Sequence, residues 1–292
     1  MNRPVGTAND IRYVEVTPER SSSDLTYLLV HGLGGSLEQW SDVVPRLGAT
    51  ARTIAIDVPS FGQSRTIRGQ FDLDASVARI LRFCRSQDVR NCVLVSHSVG
   101  CVVAARLAAR EPALFTRLVL VSGTLVRAAE LAQHPRRALS NPSLGFFVAT
   151  QFLTGLFPIP HAVLQVIAAS RIMRQLTLWP FVAHPAQLPP EHLVETLTGS
   201  GSLAVLRILV TAKKIDYLGI LAAVPQPVEL IAGAEDRIIN SADIARVHQL
   251  VHVSREHTIP RCGHWPWLEN PTELVDFIMA RRPDGTPTDQ HV

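Results

Sequence analysis

Charge is scarce in this sequence: 18% of its 292 residues are Asp, Glu, Lys or Arg, against 47% hydrophobic residues. A chain of this length and composition buries a large core and reads as a soluble globular protein of one elaborated domain or two. The formal net charge is only +3, and the arginines are scattered rather than gathered with aromatics, so a nucleic-acid partner is not expected. Cysteine is equally sparse. Cys84, Cys92, Cys101 and Cys262 show no C-x-x-C spacing and sit in apolar segments, which fits reduced thiols rather than a disulfide framework or a zinc site. The opening stretch MNRPVGTANDIRYVEV has no apolar core and no small-residue cleavage site, so no secretory signal is read and a cytoplasmic location is expected. Internal repeats and low-complexity tracts are also missing.

What is present is an alternation of two periodicities. RYVEV (12–16), TYLLVHG (26–32), RTIAIDVP (52–59), NCVLVS (91–96), RLVLVSG (117–123), PVELIAGAED (227–236) and EHTIP (256–260) read as strands. Helices are expected at SLEQWSDVVPRL (36–47, with Ser36 at its start), DLDASVARILRFCRSQ (72–87, capped by Asp72 or Asp74), 99–112 and 271–282. Apolar strands joined through helices predict an α/β fold with a mostly parallel sheet covered on both faces. The polar ending PDGTPTDQHV is expected to fray.

One strand ends unusually. In LVSHSVGCVV (94–103) an apolar run stops at Ser96-His97-Ser98 and resumes as a helix of small residues. A serine at a tight strand-to-helix turn has its hydroxyl pushed out above the carboxyl edge of the sheet, with small residues two before and two after it because strand and helix nearly touch. Ser98, Gly100 and Ser96 fit, although the common pattern has glycine where Ser96 stands, so a slightly crowded turn is expected. Alone, this pattern fits a serine capping the helix at 99–112 equally well.

A serine hydroxyl needs a base within hydrogen-bond reach and a carboxylate that sets the base's tautomer. LIAGAEDRIIN places Asp236 just after a buried strand, and IPRCGHWPWLENP places His264 after the last strand, on the same sheet edge as Ser98. Each has a plain alternative, a turn carboxylate and a packing histidine. Glu235 is the competing acid.

With these residues assembled, the chain resembles the α/β-hydrolase superfamily, its serine-nucleophile branch with a helical cap. The supporting segments are LLVHGLGGSLEQW (28–40), DVPSFGQS (57–64), VSHSVG (95–100), GAEDRIIN (233–240) and CGHWPWLENP (262–271). The resemblance implies catalytic Ser98, Asp236 and His264, with an oxyanion hole at the N–H groups of Leu33 and Val99. It also implies a division into core (1–123), helical cap or lid (124–220) and core again (221–292), with no metal or organic cofactor. Dehalogenases and epoxide hydrolases of this fold carry Asp at the elbow, so Ser98 turns the expectation to acyl transfer from an ester, thioester or lactone.

From Ala138 to Ser170 there is no Asp, Glu, Lys or Arg. The apolar run within it is about 14 residues before Pro158, short of the roughly 20 that span a bilayer, so no transmembrane segment is expected. A pair of short helices packed over the core is the plain reading. The sharper one is that they line an apolar passage above Ser98, with Phe146, Phe147 and Phe152, together with His97 and Trp265, contacting a hydrophobic small-molecule substrate. Arg136, Arg137, Arg171 and Arg174 flank this stretch and leave a peripheral membrane contact as a lesser reading.

The His264-Trp265 pair resembles the GHW segment of meta-cleavage product hydrolases, which split carbon–carbon bonds with the same triad. Those enzymes tend to carry Asn where His97 stands, and a cap arginine for the substrate carboxylate, for which Arg171, Arg174 and Arg207 are available. A non-hydrolytic biosynthetic cyclase and a small-molecule binding protein on the same fold are the remaining alternatives, and a homodimer stays open.

Overall fold

Eight strands pair into one sheet in the order β1-β2-β4-β3-β5-β6-β7-β8. They are β1 (Val5–Ala8), β2 (Ile11–Val16), β3 (Thr26–Val30), β4 (Arg52–Ile56), β5 (Cys92–His97), β6 (Phe115–Val121), β7 (Val228–Gly233) and β8 (Val253–Ile259). A computed structural model describes residues 5–19, 24–64, 71–123, 126, 142–156, 159–198, 200–239 and 241–280. The strands from β4 to β8 run parallel, and β1 and β2 close one edge antiparallel. Strands β3, β5 and β7 are buried along their whole length, as helices on both faces require.

The sequence reading begins the first strand at Arg12 and overlooks β1. Asn9 and Asp10, at φ 51° and 60°, form a two-residue reversal of the kind in which both central residues are left-handed. Asn and Asp tolerate that conformation, so the hairpin was encoded in a dipeptide, not in a run of apolar residues.

Three helices precede the midpoint: α1 (Val43–Gly48), α2 (Leu73–Ser86) and α3 (Gly100–Arg110). Asp72 caps α2, its carboxylate accepting from the Ala75 N–H at 2.8 Å, which decides between Asp72 and Asp74. The helix expected at 36–47 is broken into a short 3₁₀ turn at Leu37–Trp40 followed by α1. Pro45 accounts for the break, since it has no N–H for the Ser41 carbonyl and its ring crowds that turn, and two long-range bonds hold the start of the 3₁₀ turn in place. The Leu37 N–H donates to the buried Asp57 carboxylate at 2.7 Å, while the Ser36 hydroxyl caps nothing and donates to the Thr198 carbonyl at 3.1 Å.

Between β6 and β7 the described chain is helical: α4 (Pro142–Leu156), α5 (His161–Ala169), α6 (Arg171–Leu178), α7 (Pro190–Leu197), α8 (Leu203–Thr211) and α9 (Tyr217–Ala222). The chain then completes the sheet and its cover with α10 (Ser241–His248), α11 (Pro266–Glu269) and α12 (Pro271–Met279). No helix among the described residues is long and apolar enough to cross a membrane. Arg136 and Arg137, and the frayed ending expected past Ala280, lie outside the described residues.

Candidate active site

Strand β5 ends at His97 and α3 begins at Gly100, leaving two residues to reverse the chain. Ser98 makes the reversal at φ 49°, a left-handed conformation that a non-glycine residue adopts at some cost. Its N–H is held by the Val121 carbonyl at 3.0 Å, so the strained turn is tied to β6. A methyl group on Gly100 would lie 2.3 Å from the His31 carbonyl oxygen, which is why nothing larger fits there. Ser96, where glycine is commoner, is fully buried and donates to the Cys101 sulfur at 3.2 Å. The extra side chain is absorbed by a polar contact. Ser98 does not cap α3, whose N-cap position is Val99.

The hydroxyl instead meets His264. Ser98 Oγ lies 3.0 Å from His264 Nε2, and His264 Nδ1 lies 2.8 Å from Asp236 Oδ2. The carboxylate's other oxygen accepts from the N–H groups of Ile238 (2.8 Å) and Ile239 (2.9 Å). A carboxylate so oriented requires the proton on Nδ1, which leaves the Nε2 lone pair for the serine hydroxyl. Of the two candidate acids, Glu235 points elsewhere, its carboxylate 3.6 Å from His184 Nε2.

His97 bridges elbow and base loop. Its Nε2–H donates to the His264 carbonyl at 2.9 Å, which leaves Nδ1 buried and without a partner among the described residues. Burial above all, and then the neighbouring His264, holds the imidazole well below its ordinary pKa, so it stays neutral. Facing it is the loop of Gly32 to Gly35, where a Cβ on Gly32 would come 2.8 Å from His97 Nδ1. His31 shapes this loop by donating from Nδ1 to the Gly32 carbonyl (2.8 Å) and accepting the Val58 N–H at Nε2 (3.0 Å). Among the described residues no backbone carbonyl accepts from the Leu33 or Val99 N–H. The thiols offer no rival nucleophile: burial pushes Cys84 and Cys101 up to about 12 and raises Cys92 and Cys262 as well.

A cavity of about 240 Å³ opens above Ser98 and His264. Its lining includes His97, Trp265 and Phe146, as the sequence suggests, while Phe152 is 49% exposed and not part of it. The side chain of Phe147 lies outside the description. Helix α4 also departs from the expected apolar underside. Beyond Phe146, its cavity face is Thr150, Gln151 and Thr154, and its exposed residues include Val148, Phe152 and Leu153. Apolar wall is supplied instead by Leu164, Ile167, Leu178, Phe181 and Leu197. Among the described residues no Arg, Lys, Asp or Glu lines the cavity. Arg174 is buried but donates to the carbonyls of Ala168, Pro185 (3.1 Å) and Ala186 (3.0 Å), while Arg171 and Arg207 are exposed. Among the described residues no three His, Cys, Asp or Glu side chains gather as a metal site would require.

Two residues that sequence reasoning missed hold the base loop to the helical segment. The Phe181 carbonyl accepts from the His264 N–H at 2.7 Å, and its ring stacks on Trp265 at 4.9 Å. Glu269 accepts from the N–H groups of Gly263 (2.8 Å) and Ala183 (2.7 Å). No local pattern marks either residue. Burial pushes the Glu269 carboxyl up to about 7, against the pull of the Ala183, Gly263 and His184 N–H groups. The folded chain therefore keeps a proton that the unfolded chain releases near 4.5, and stability falls as pH rises across that window, by on the order of 1–3 kcal/mol. Thermal midpoints measured from pH 4.5 to above 7 should fall less steeply in Glu269→Gln than in the unsubstituted protein. Equal slopes would show that Glu269 does not titrate there.

Sheet order, elbow and the Ser98–His264–Asp236 chain define a protein of the α/β-hydrolase class. The chain belongs to the alpha/beta hydrolase family, whose model matches residues 27–277. It is 24% identical to the pimeloyl-[acyl-carrier protein] methyl ester esterase of Aeromonas hydrophila, with 91% of this chain and 98% of that protein covered. It is also 24% identical to the 2-hydroxy-6-oxo-2,4-heptadienoate hydrolase of Pseudomonas putida, at 87% and 88% coverage. In three dimensions it superposes on E-2-(acetamidomethylene)succinate hydrolase with a TM-score of 0.71, at 15% identity, over 95% of this chain and 98% of the other.

Proposed function

We infer that the protein is a serine hydrolase that cleaves an ester, thioester or lactone of an uncharged, largely apolar acyl substrate. The observation that carries this reading is the continuous hydrogen-bonded chain Ser98 Oγ, His264 Nε2 and Nδ1, Asp236 Oδ2, at 3.0 and 2.8 Å, opening into the cavity. In this mechanism Ser98 Oγ attacks the acyl carbon as its proton passes to His264 Nε2, and Asp236 stabilises the imidazolium that forms. The N–H groups of Leu33 and Val99, free of backbone partners, receive the negative charge on the acyl oxygen, each worth about 3 kcal/mol in the transition state. His264 then returns the proton to the leaving alcohol or thiol. Water, deprotonated by the same imidazole, hydrolyses the acyl-enzyme and releases the acid and Ser98. The span 124–220, with helices α4 to α8 and the start of α9, acts as the cap between the core halves 1–123 and 221–292.

Both named relatives are hydrolases, one of an ester and one of an oxo-dienoate. The cavity favours the first chemistry. A dienoate carries a carboxylate, and among the described residues no cationic side chain lines this cavity to receive one, Arg174 spending its donors on three carbonyls.

The test combines intact mass after a fluorophosphonate probe with hydrolysis rates for p-nitrophenyl esters from acetyl to dodecanoyl. One covalent adduct at Ser98 and rates that rise with chain length are expected. Equal turnover of acetyl and decanoyl esters would overturn the apolar-acyl assignment. An adduct without ester turnover would favour a carbon–carbon hydrolase or a cyclase, and no adduct at all a binding protein.

A further inference from the structure

The large apolar side chains on the surface are not spread over it. Thirteen are exposed among the described residues, and all but Val5 belong to the stretch from Phe146 to Val210. They fall at helical spacings: Val148 and Phe152 on α4, Val163 and Val166 on α5, Ile172 and Leu176 on α6, Leu203 and Val210 on α8. These helices pack in two pairs, α4 on α8 and α5 on α6, and the Phe146 ring of α4 lies 5.9 Å from that of Trp179, just past α6. Single exposed apolar residues need no explanation, but a concentration of this kind marks an interaction surface.

Charge on the same helices has one sign. Arg171 stands beside Ile172, Arg207 lies between Leu203 and Val210, and Lys213 and Lys214 follow α8; all four are exposed. The two acidic residues in the stretch from α4 to α8, Glu191 and Glu195, sit together on α7, which carries none of the exposed large apolar side chains. Just past the lysines, exposed Asp216 is engaged as the cap of α9, accepting from the Gly219 N–H at 2.9 Å. An apolar surface flanked by such an excess of cations matches an anionic phospholipid surface, where each cation near the headgroups contributes about 1 kcal/mol. A second copy of the chain would bring the same cations against each other.

We propose that the outer face of α4, α5, α6 and α8 seats the protein on anionic phospholipid membranes. The inner faces of α4, α5 and α6 line the cavity above Ser98, so an acyl substrate dissolved in the bilayer has a short path to it. The docking surface itself does not depend on the chemistry proposed for Ser98.

Vesicle sedimentation tests this, using phosphatidylcholine vesicles with and without phosphatidylglycerol. Binding to the phosphatidylglycerol vesicles is expected, weakening at least about tenfold in Ile172→Asp/Leu176→Asp. Arg171→Glu/Lys213→Glu/Lys214→Glu should abolish the preference for anionic vesicles. Unchanged fluorophosphonate labelling and circular dichroism will show that the variants fold. Absence of binding to either vesicle would overturn the proposal, as would binding unaffected by the aspartates. Concentration-dependent dimerisation in sedimentation velocity, lost in Ile172→Asp/Leu176→Asp, would assign the face to a second copy instead.

Discussion

Ser98→Ala is expected to lower ester hydrolysis by at least about 10⁴-fold and to abolish fluorophosphonate labelling, while leaving the thermal midpoint nearly unchanged. The two halves of this expectation have separate causes. Rate is lost because the hydroxyl 3.0 Å from His264 Nε2 is gone. Stability is kept because alanine and serine bear the same burden at φ 49°, and the lost hydroxyl bond to His264 is worth about 1 kcal/mol. Asp236→Asn separates orientation from nucleophilicity. The amide can still accept from Ile238 and Ile239, but it no longer commits His264 to the Nδ1–H tautomer, and a loss of about 10³ to 10⁴ in kcat is expected. Steady-state rates on the best p-nitrophenyl ester decide both, and a Ser98→Ala protein retaining a tenth of the activity would remove Ser98 as nucleophile.

Gly100→Ala is expected to cost at least about 3 kcal/mol in stability and over 100-fold in rate, from one methyl group. The added Cβ would meet backbone on the far side, 2.3 Å from the His31 carbonyl oxygen and 3.1 Å from that of Val30. No rotamer relieves a clash with main chain. Helix α3 must move away from the end of β3, which displaces the loop of Gly32 to Gly35 from Ser98 together with the N–H of Leu33. Chemical denaturation gives the stability change, and labelling by the probe reads the elbow. A folded variant that labels at the normal rate would show that strand and helix can part without harm.

The site was legible to different depths along the chain. Ser98 could be read because a serine between small residues at the end of an apolar strand is a local signature, and Asp236 and His264 because loops after parallel strands gather on one sheet edge. The preference for Asp236 over its neighbour Glu235 came from the resemblance, since neighbours in a loop differ only in which way each side chain faces; in the fold it is Asp236 that lies 2.8 Å from His264 Nδ1. Arg174 looked available to a substrate, yet three carbonyls of its own helical segment occupy it. Helix α4 misled for a related reason. It carries no charge, so it reads as an apolar helix, yet its polar Thr150, Gln151 and Thr154, at i, i+1 and i+4, share one face, and that face meets the cavity while Phe152 faces out.

Short-range properties therefore carry the fold class and the strand-to-helix turn at Ser98: apolar runs of strand length, small residues at a tight turn, a capping aspartate. These depend on residues a few positions apart, whose geometry the covalent chain itself limits. The tertiary structure alone decided that Phe181 and Glu269 hold the loop of His264, that among the described residues no cation reaches the cavity, and where the apolar face of the helices points. Each of these is a distance between segments tens to hundreds of residues apart, and only packing sets such distances.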